Sequence, residues 1–378
     1  MGIWRVVGAV LLGSMLAACG GDKGFKPSPL PKFEPTIDAR VAWNRKVGNA
    51  GDFIFAPIGT HDLVCAAGTE DQLFCFAAAD GKLIWQTRAG VKFSGGVGAG
   101  ENMVLVGTAS GEVIAYDMSG TLLWRSQVST EVLSAPVGSQ SRVIVRAGDS
   151  TVFGLSAKDG SVQWRYEGPR EPLVLRSNPG MAIIGDTAAL IGFPGGRLVR
   201  LGLKDGALIW ETAVTTPRGD NELERLSDVV GTPLIAPGKV CAVAYQGRIG
   251  CFDENKGEQI WARSASSASG LAANERNVYY TEADSVLVAL DKTAGASVWR
   301  QDKLSYRRLT APTVVGNWIV VGDLDGYVHV LSGGDGSFVA RVPTDGSAIV
   351  AAPVKAGDGV VVQTQTGGLF MIELKARK

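Results

Sequence analysis

A short stretch that ends in tryptophan recurs along this chain, and its spacing constrains the fold more than any other feature. It reads D-G-K-L-I-W to Trp85, S-G-T-L-L-W to Trp124, D-G-S-V-Q-W to Trp164 and D-G-A-L-I-W to Trp210. It continues with K-G-E-Q-I-W to Trp261 and A-G-A-S-V-W to Trp299. A copy without the ring, D-G-S-F-V-A, ends at Ala340, and Trp43 in R-V-A-W-N is a copy without the preceding turn. Successive copies lie 38 to 51 residues apart, the length of one four-stranded propeller blade. One such unit cannot bury its apolar face alone, so units must stack on their neighbours.

A second pattern repeats inside each unit. Two β-rich runs joined by a turn precede each tryptophan stretch, as in 62–67 with 72–77 and 102–107 with 112–117. Eight such hairpins can be traced, the last pairing 360–364 with 368–374, but only seven outer strands follow in line. The run 40–46, carrying Trp43, supplies the missing one. The expected fold is therefore all-β, an eight-bladed propeller of four-stranded antiparallel blades whose ring is closed by an N-terminal strand. Closure removes the open sheet edge that invites aggregation. Elements such as Ser134-Ala135-Pro136 and Thr310-Ala311-Pro312 open several units, where proline fits because a first-strand position needs no ladder donor. The matched tryptophans are expected to pack between blades rather than to stack a ligand.

Cysteine usage agrees with the repeat. Cys65 and Cys75 are ten apart across one hairpin, and Cys241 and Cys251 are ten apart across another, at matching repeat positions. Opposite residues of an antiparallel pair are close enough for a disulfide, so these are either two disulfides or two pairs of buried thiols. With 37 basic and 37 acidic residues, nothing points to nucleic acid. The two histidines, His61 and His329, and the absence of a C-x-x-C pair give no zinc-site pattern. No cofactor, metal or catalytic residue is assigned.

The N-terminus is an export signal. One cation, Arg5, precedes an apolar run over 6–16 and the small residues Ala17 and Ala18, which is the layout of a secretory signal over 1–18. The run is too short to cross a bilayer, which takes ~20 apolar residues. Leu16-Ala17-Ala18-Cys19 reads as a lipobox, with Cys19 as the lipidated first residue of the mature protein. Multiple acyl chains anchor firmly where one alone does not. Gly20 follows instead of the aspartate that typically retains such lipoproteins in the inner membrane, so the expected place is the periplasmic face of the outer membrane. Residues 19–38, with prolines at 27, 29 and 31, read as a flexible tether, and 39–378 as the propeller.

Two consecutive units are longer than the rest, and both gain residues between the tryptophan strand and the next blade. The first insert spans 168–177 and holds Leu173, Leu175 and Arg176; the second spans about 215–230 and holds Asp228. Strand alternation puts both connections on the face that carries the middle hairpin turns. Apolar side chains with an arginine are the mix that anchors interfaces. With the lipobox, the proline-containing leader, P-L-V-L-R and E-R-L-S-D-V-V-G-T-P, the chain resembles the BamB family, lipoprotein subunits of the outer-membrane β-barrel assembly machinery. That resemblance implies a non-enzymatic scaffold that binds the periplasmic POTRA domains of BamA and helps deliver or align unfolded outer-membrane proteins. It also implies that Leu173, Leu175, Arg176 and Asp228 contact the partner. The family's second contact element, D-V-D, falls on Asp228, Val229 and Val230, so its second aspartate is a valine here.

Two rival readings stand beside it. One is a quinone-dependent dehydrogenase built from the same repeat, against which stand the short chain and the lack of a Cys-Cys dipeptide. The other, compatible with the scaffold, is capture of extended chains along strand edges. The anchor is directly testable. Cys19→Ser is expected to abolish acyl labelling and to leave the precursor either soluble or attached through its uncleaved signal. Acyl label on that variant would refute the lipidation.

Overall fold

A computed structural model describes residues 25–175 and 180–377 of the chain. Its strands form eight four-stranded antiparallel sheets arranged as the blades of a propeller. Blades 1 to 7 are consecutive meanders over 58–88, 93–127, 137–167, 181–213, 229–265, 271–301 and 313–343. Blade 8 takes its three inner strands from 354–376 and its outer strand from Ile37–Lys46. That outer strand pairs antiparallel from Ile37 opposite Ala376 to Lys46 opposite Gly368, with a bulge between Val41 and Trp43. The N-terminal closure expected from 40–46 is therefore present, and the strand starts at Ile37.

The core is not one mass but a set of clusters between neighbouring blades. In one, Trp124 of blade 2 lies with Val143, Val145, Phe153 and Leu155 of blade 3. The tryptophan positions explain the repeat. Each indole N–H donates to a backbone carbonyl of the next blade: Trp43 to Ala78, Trp85 to Met118, Trp124 to Ala157 and Trp164 to Leu203. The same holds for Trp210 to Glu254, Trp261 to Lys292 and Trp299 to Gly333. These bonds are 2.8–3.1 Å long.

Each ring also covers the glycine of the next blade's last turn, and here glycine is required twice over. At Gly81, Gly120, Gly160 and Gly206, φ is +67 to +85° and a Cβ would stand 2.5–2.7 Å from the indole. Positive φ favours glycine, and the flat contact forbids any side chain. The pattern also accounts for Ala340. The next turn would join the two outermost strands of blade 8, but these come from opposite ends of the chain, so no turn exists for a ring to cover.

Cys65 lies directly opposite Cys75 in blade 1, and Cys241 opposite Cys251 in blade 5. Both pairs are joined as disulfides inside the interblade core, with Cα–Cα distances of 4.1 and 4.0 Å.

The leader departs from the expected free tether. Residues 25–36 form no regular structure, yet they lie along blade 7. Ser28 N donates to Ser305 O at 2.9 Å, Arg307 Nη1 to Ser28 O at 3.1 Å and Arg341 Nη2 to Pro31 O at 2.8 Å. Both arginines belong to a buried network. Arg307 Nε donates to Asp323 Oδ2 at 2.8 Å and its Nη2 to Asp325 at 2.5 Å. Arg341 Nε faces His329 Nδ1 at 3.3 Å, and His329 Nε2 lies 2.9 Å from Asp323 Oδ2. Since Nδ1 must accept from the arginine, the neutral imidazole carries its proton on Nε2 and donates to Asp323. Burial lowers the His329 pKa against the pull of Asp323, while Asp323 stays ionised, its pKa held below the usual value by His329, Tyr327 N and Arg307 against burial.

Two outcomes follow. Trp43→Ala should cost about 3–5 kcal/mol in reversible denaturant unfolding, as for other buried aromatics; an unchanged midpoint would mean that the ring closes without it. For His329, the unfolded chain takes up a proton below about pH 6.5, while the folded chain holds the ring neutral. Stability contributed by this group is thus complete above that pH and lost as pH falls below it, by up to about 1.4 kcal/mol per pH unit. Melting temperature should drop from pH 7.5 to 5.5, and His329→Gln should flatten that slope. An unaltered slope would assign it to other groups.

Candidate docking surface

Blade-to-blade connections and middle hairpin turns emerge on one face, and both inserts are there. The described part of the first, 168–175, leaves Leu173 and Val174 exposed at 39 and 45%. Leu175 turns inward and is half-buried against the cluster of Val230, Cys241 and Trp261. The second insert is stiffened by its own side chains. Glu224 Oε2 accepts from Asp220 N at 2.8 Å, Asn221 Oδ1 from Glu224 N at 3.0 Å, and Gly219 O from Arg225 Nε at 3.1 Å. This compact turn holds Leu223 out in solvent, 69% exposed. Sequence reading did not single Leu223 out; a leucine inside an otherwise polar, charged insert was the signal.

The two inserts meet at Asp228. Its Oδ2 accepts from Leu175 N at 2.7 Å, although 53 residues separate the two. Asp228 is only 4% exposed, so it does not present its carboxylate to a partner as the sequence suggested. It fixes the backbone of the first insert beneath the exposed Leu173 and Val174. Burial raises its pKa, opposed by backbone donors from Leu175 and Gly195 and by the charge of Arg146. Arg146 in turn is pushed down to about 10 by burial, with Asp228 opposing. The pair lines a cleft of about 480 Å³ together with Phe53, Leu133, Val174 and Leu175. Cys19 and Arg176 lie outside the described residues.

The family model described as outer membrane protein assembly factor BamB matches residues 69–301 and 283–377. A Burkholderia pseudomallei protein of that name is 41% identical over 358 residues, 94% of each chain. The Bordetella pertussis protein of that name is 39% identical, covering 98% of this chain and 97% of its own. The crystal structure of BamB from Moraxella catarrhalis superposes with a TM-score of 0.81 at 26% identity, over 89% of this chain and 99% of that one. The chain belongs to the BamB family. A quinohemoprotein alcohol dehydrogenase from Pseudomonas putida shares the propeller at TM-score 0.69 but 15% identity, a likeness of fold alone.

Within the BamB frame, Val230 has a clear physical setting. It is 1% exposed, pairs with Val243 across the first hairpin of blade 5 and packs in the cluster with Cys241 and Cys251. An aspartate there would be buried without its water, which is costly unless it is paired.

Proposed function

We propose that this chain is a non-enzymatic, lipid-anchored scaffold at the periplasmic face of the outer membrane. Its paired inserts dock the POTRA region of a BamA-like protein, and it assists folding and insertion of outer-membrane β-barrel proteins. The observation that carries the reading is the Leu175–Asp228 bond. It joins two inserts from different blade junctions, which between them hold Leu173, Val174 and Leu223 exposed, on a chain of the BamB family. Apolar side chains held out by a stiff backbone lose little entropy on binding. Arg176, which follows Leu175 in the sequence, is the cation this reading assigns to the contact.

Contact with unfolded barrel proteins has its own support. The outer strands of blades 1 to 6 each carry an exposed apolar residue in their first two positions, Ile260 and Val298 in blades 5 and 6 at 45 and 44%. Leu83 and Ile84, Leu122 and Leu123, Leu208 and Ile209 are all 46–51% exposed, as is Val162 at 49%. In blade 7 the matching Phe338 and Val339 are buried, at 9 and 7%, because the chain's own extended leader lies on them. Thr36 N donates to Val339 O at 2.9 Å and Phe33 stacks on Phe338. Extended chain on an outer strand is the geometry of strand addition.

The docking test uses the purified POTRA region of a BamA-like protein. Leu173→Ala or Arg176→Glu should weaken binding by roughly thirtyfold or more, the scale of an interface hot spot, with an unchanged melting temperature. Leu175→Ala should lower both affinity and melting temperature, since that side chain is half in the core. Wild-type affinity in the first two variants would move the docking patch elsewhere.

A further inference from the structure

We propose that residues 25–36 are a strap that locks the membrane-anchored end of the chain to blade 7 and so turns the insert-bearing face towards the bilayer. The inference rests on the reading that Cys19 carries the lipid.

The strap is held along its whole length. Phe25 stacks on Tyr306 with ring centres 4.6 Å apart and planes within 5°. Next come the bonds of Ser28 with Ser305 and Arg307, then that of Pro31 with Arg341. The Arg341 guanidinium also lies 5.1 Å over the ring of Phe33, which packs on the cluster containing Trp299 and Phe338. Finally Arg377 Nη1 donates to Pro35 O at 2.6 Å. The chemistry suits a proline-rich run. Prolines have no N–H to offer, so their carbonyls must be met by outside donors, and charged donors make the stronger bonds. Arg341 and Arg377 meet the carbonyls of Pro31 and Pro35, Arg307 meets that of Ser28, and the Asp323–His329 network holds Arg307 and Arg341 in place.

The path of the strap decides the orientation. Tyr306 lies in the connection between blades 6 and 7, on the insert-bearing face: its N–H bonds to Asp284 O in the middle turn of blade 6 at 2.7 Å. Phe338 follows the last turn of blade 7, on the opposite face. From Phe25 to Thr36 the chain therefore runs the height of blade 7, then turns back as Ile37–Lys46. It enters the propeller from the insert-bearing face.

Length turns this into a constraint. Cys19 and Phe25 are six residues apart, a reach of at most ~20 Å. Were the whole leader to Ile37 free, the reach would be ~60 Å, and either face could meet the membrane. With the strap docked, the face bearing the last turns is a blade height, about 20 Å, farther from the anchor. An integral barrel partner would then have its periplasmic domains next to the patch of Leu173, Val174 and Leu223.

The test takes the full lipoprotein in two steps. The cysteines of blades 1 and 5 are paired in disulfides, which leaves engineered thiols selective. Ser28→Cys with Ser305→Cys should form a disulfide under mild oxidation; no cross-link would overturn the strap. Donor dyes on Ala283→Cys and on Ala294→Cys, exposed positions on opposite faces of blade 6, then report distance to a headgroup acceptor in phosphatidylglycerol–phosphatidylethanolamine vesicles. Transfer should be markedly stronger from position 283, and Phe25→Ala with Phe33→Ala should erase the difference. Equal transfer from both sites in the otherwise wild-type lipoprotein would overturn the orientation. A chain that cross-links but carries no acyl group and leaves vesicles unbound would overturn it through its lipid premise alone.

Discussion

A tryptophan of one blade lying flat on a glycine of the next is the contact on which everything else in this molecule depends. A four-stranded blade has two apolar faces and no means of covering either, so its stability is that of its junctions. The indole covers the neighbouring turn and donates to its carbonyl, which combines a large buried area with a directed bond. The glycine is the other half of the same device. A Cβ 2.5–2.7 Å from the ring would force the blades apart. That spacing demands the glycine that precedes each tryptophan strand from Trp85 to Trp299, which is why the repeat shows in the sequence at all.

The one junction without this device shows what replaces it. Between blades 7 and 8 there is no turn for a ring to cover, and the residue in the tryptophan position is Ala340. The gap is filled from the other end of the chain: Phe33 stacks on Phe338, and Pro31 accepts from Arg341. Ring closure in this propeller therefore uses two layers of N-terminal chain. Ile37–Lys46 completes the sheet of blade 8, and the segment before it seals the outside of blade 7.

Those two layers were unequally legible. The closing strand was visible because Trp43 belongs to a periodic set, and the disulfide positions because a ten-residue spacing across a known hairpin fixes register. The strap has no period, and its partners lie far along the chain, with 279 residues between Ser28 and Arg307. Proline content spoke for extended chain but not for what the chain lies against. The same blindness affected Asp228. An acidic residue in a polar insert reads as surface, and only its bond to Leu175 N, across 53 residues, reveals a group that is 4% exposed. The places of the two inserts were legible because extra length between repeats is itself a signal, although Val229 and Val230 belong to the first strand of blade 5.

Asp228 is more than a misplaced surface charge. A carboxylate with a raised pKa and an arginine with a lowered one, both lining the same cleft, are each less stable ionised than they would be in water. Such pairs rarely add stability; what Asp228 contributes is geometric. Its side-chain oxygen, reaching from the end of the second insert, meets the Leu175 N–H, and that bond ties the two loops together. The two inserts and the start of the described leader share a face of the propeller. The buried carboxylate of Asp228 and the arginine-held leader at blade 7 thus act at the same face: one ties the two inserts together, and the other fixes where the described chain enters the propeller.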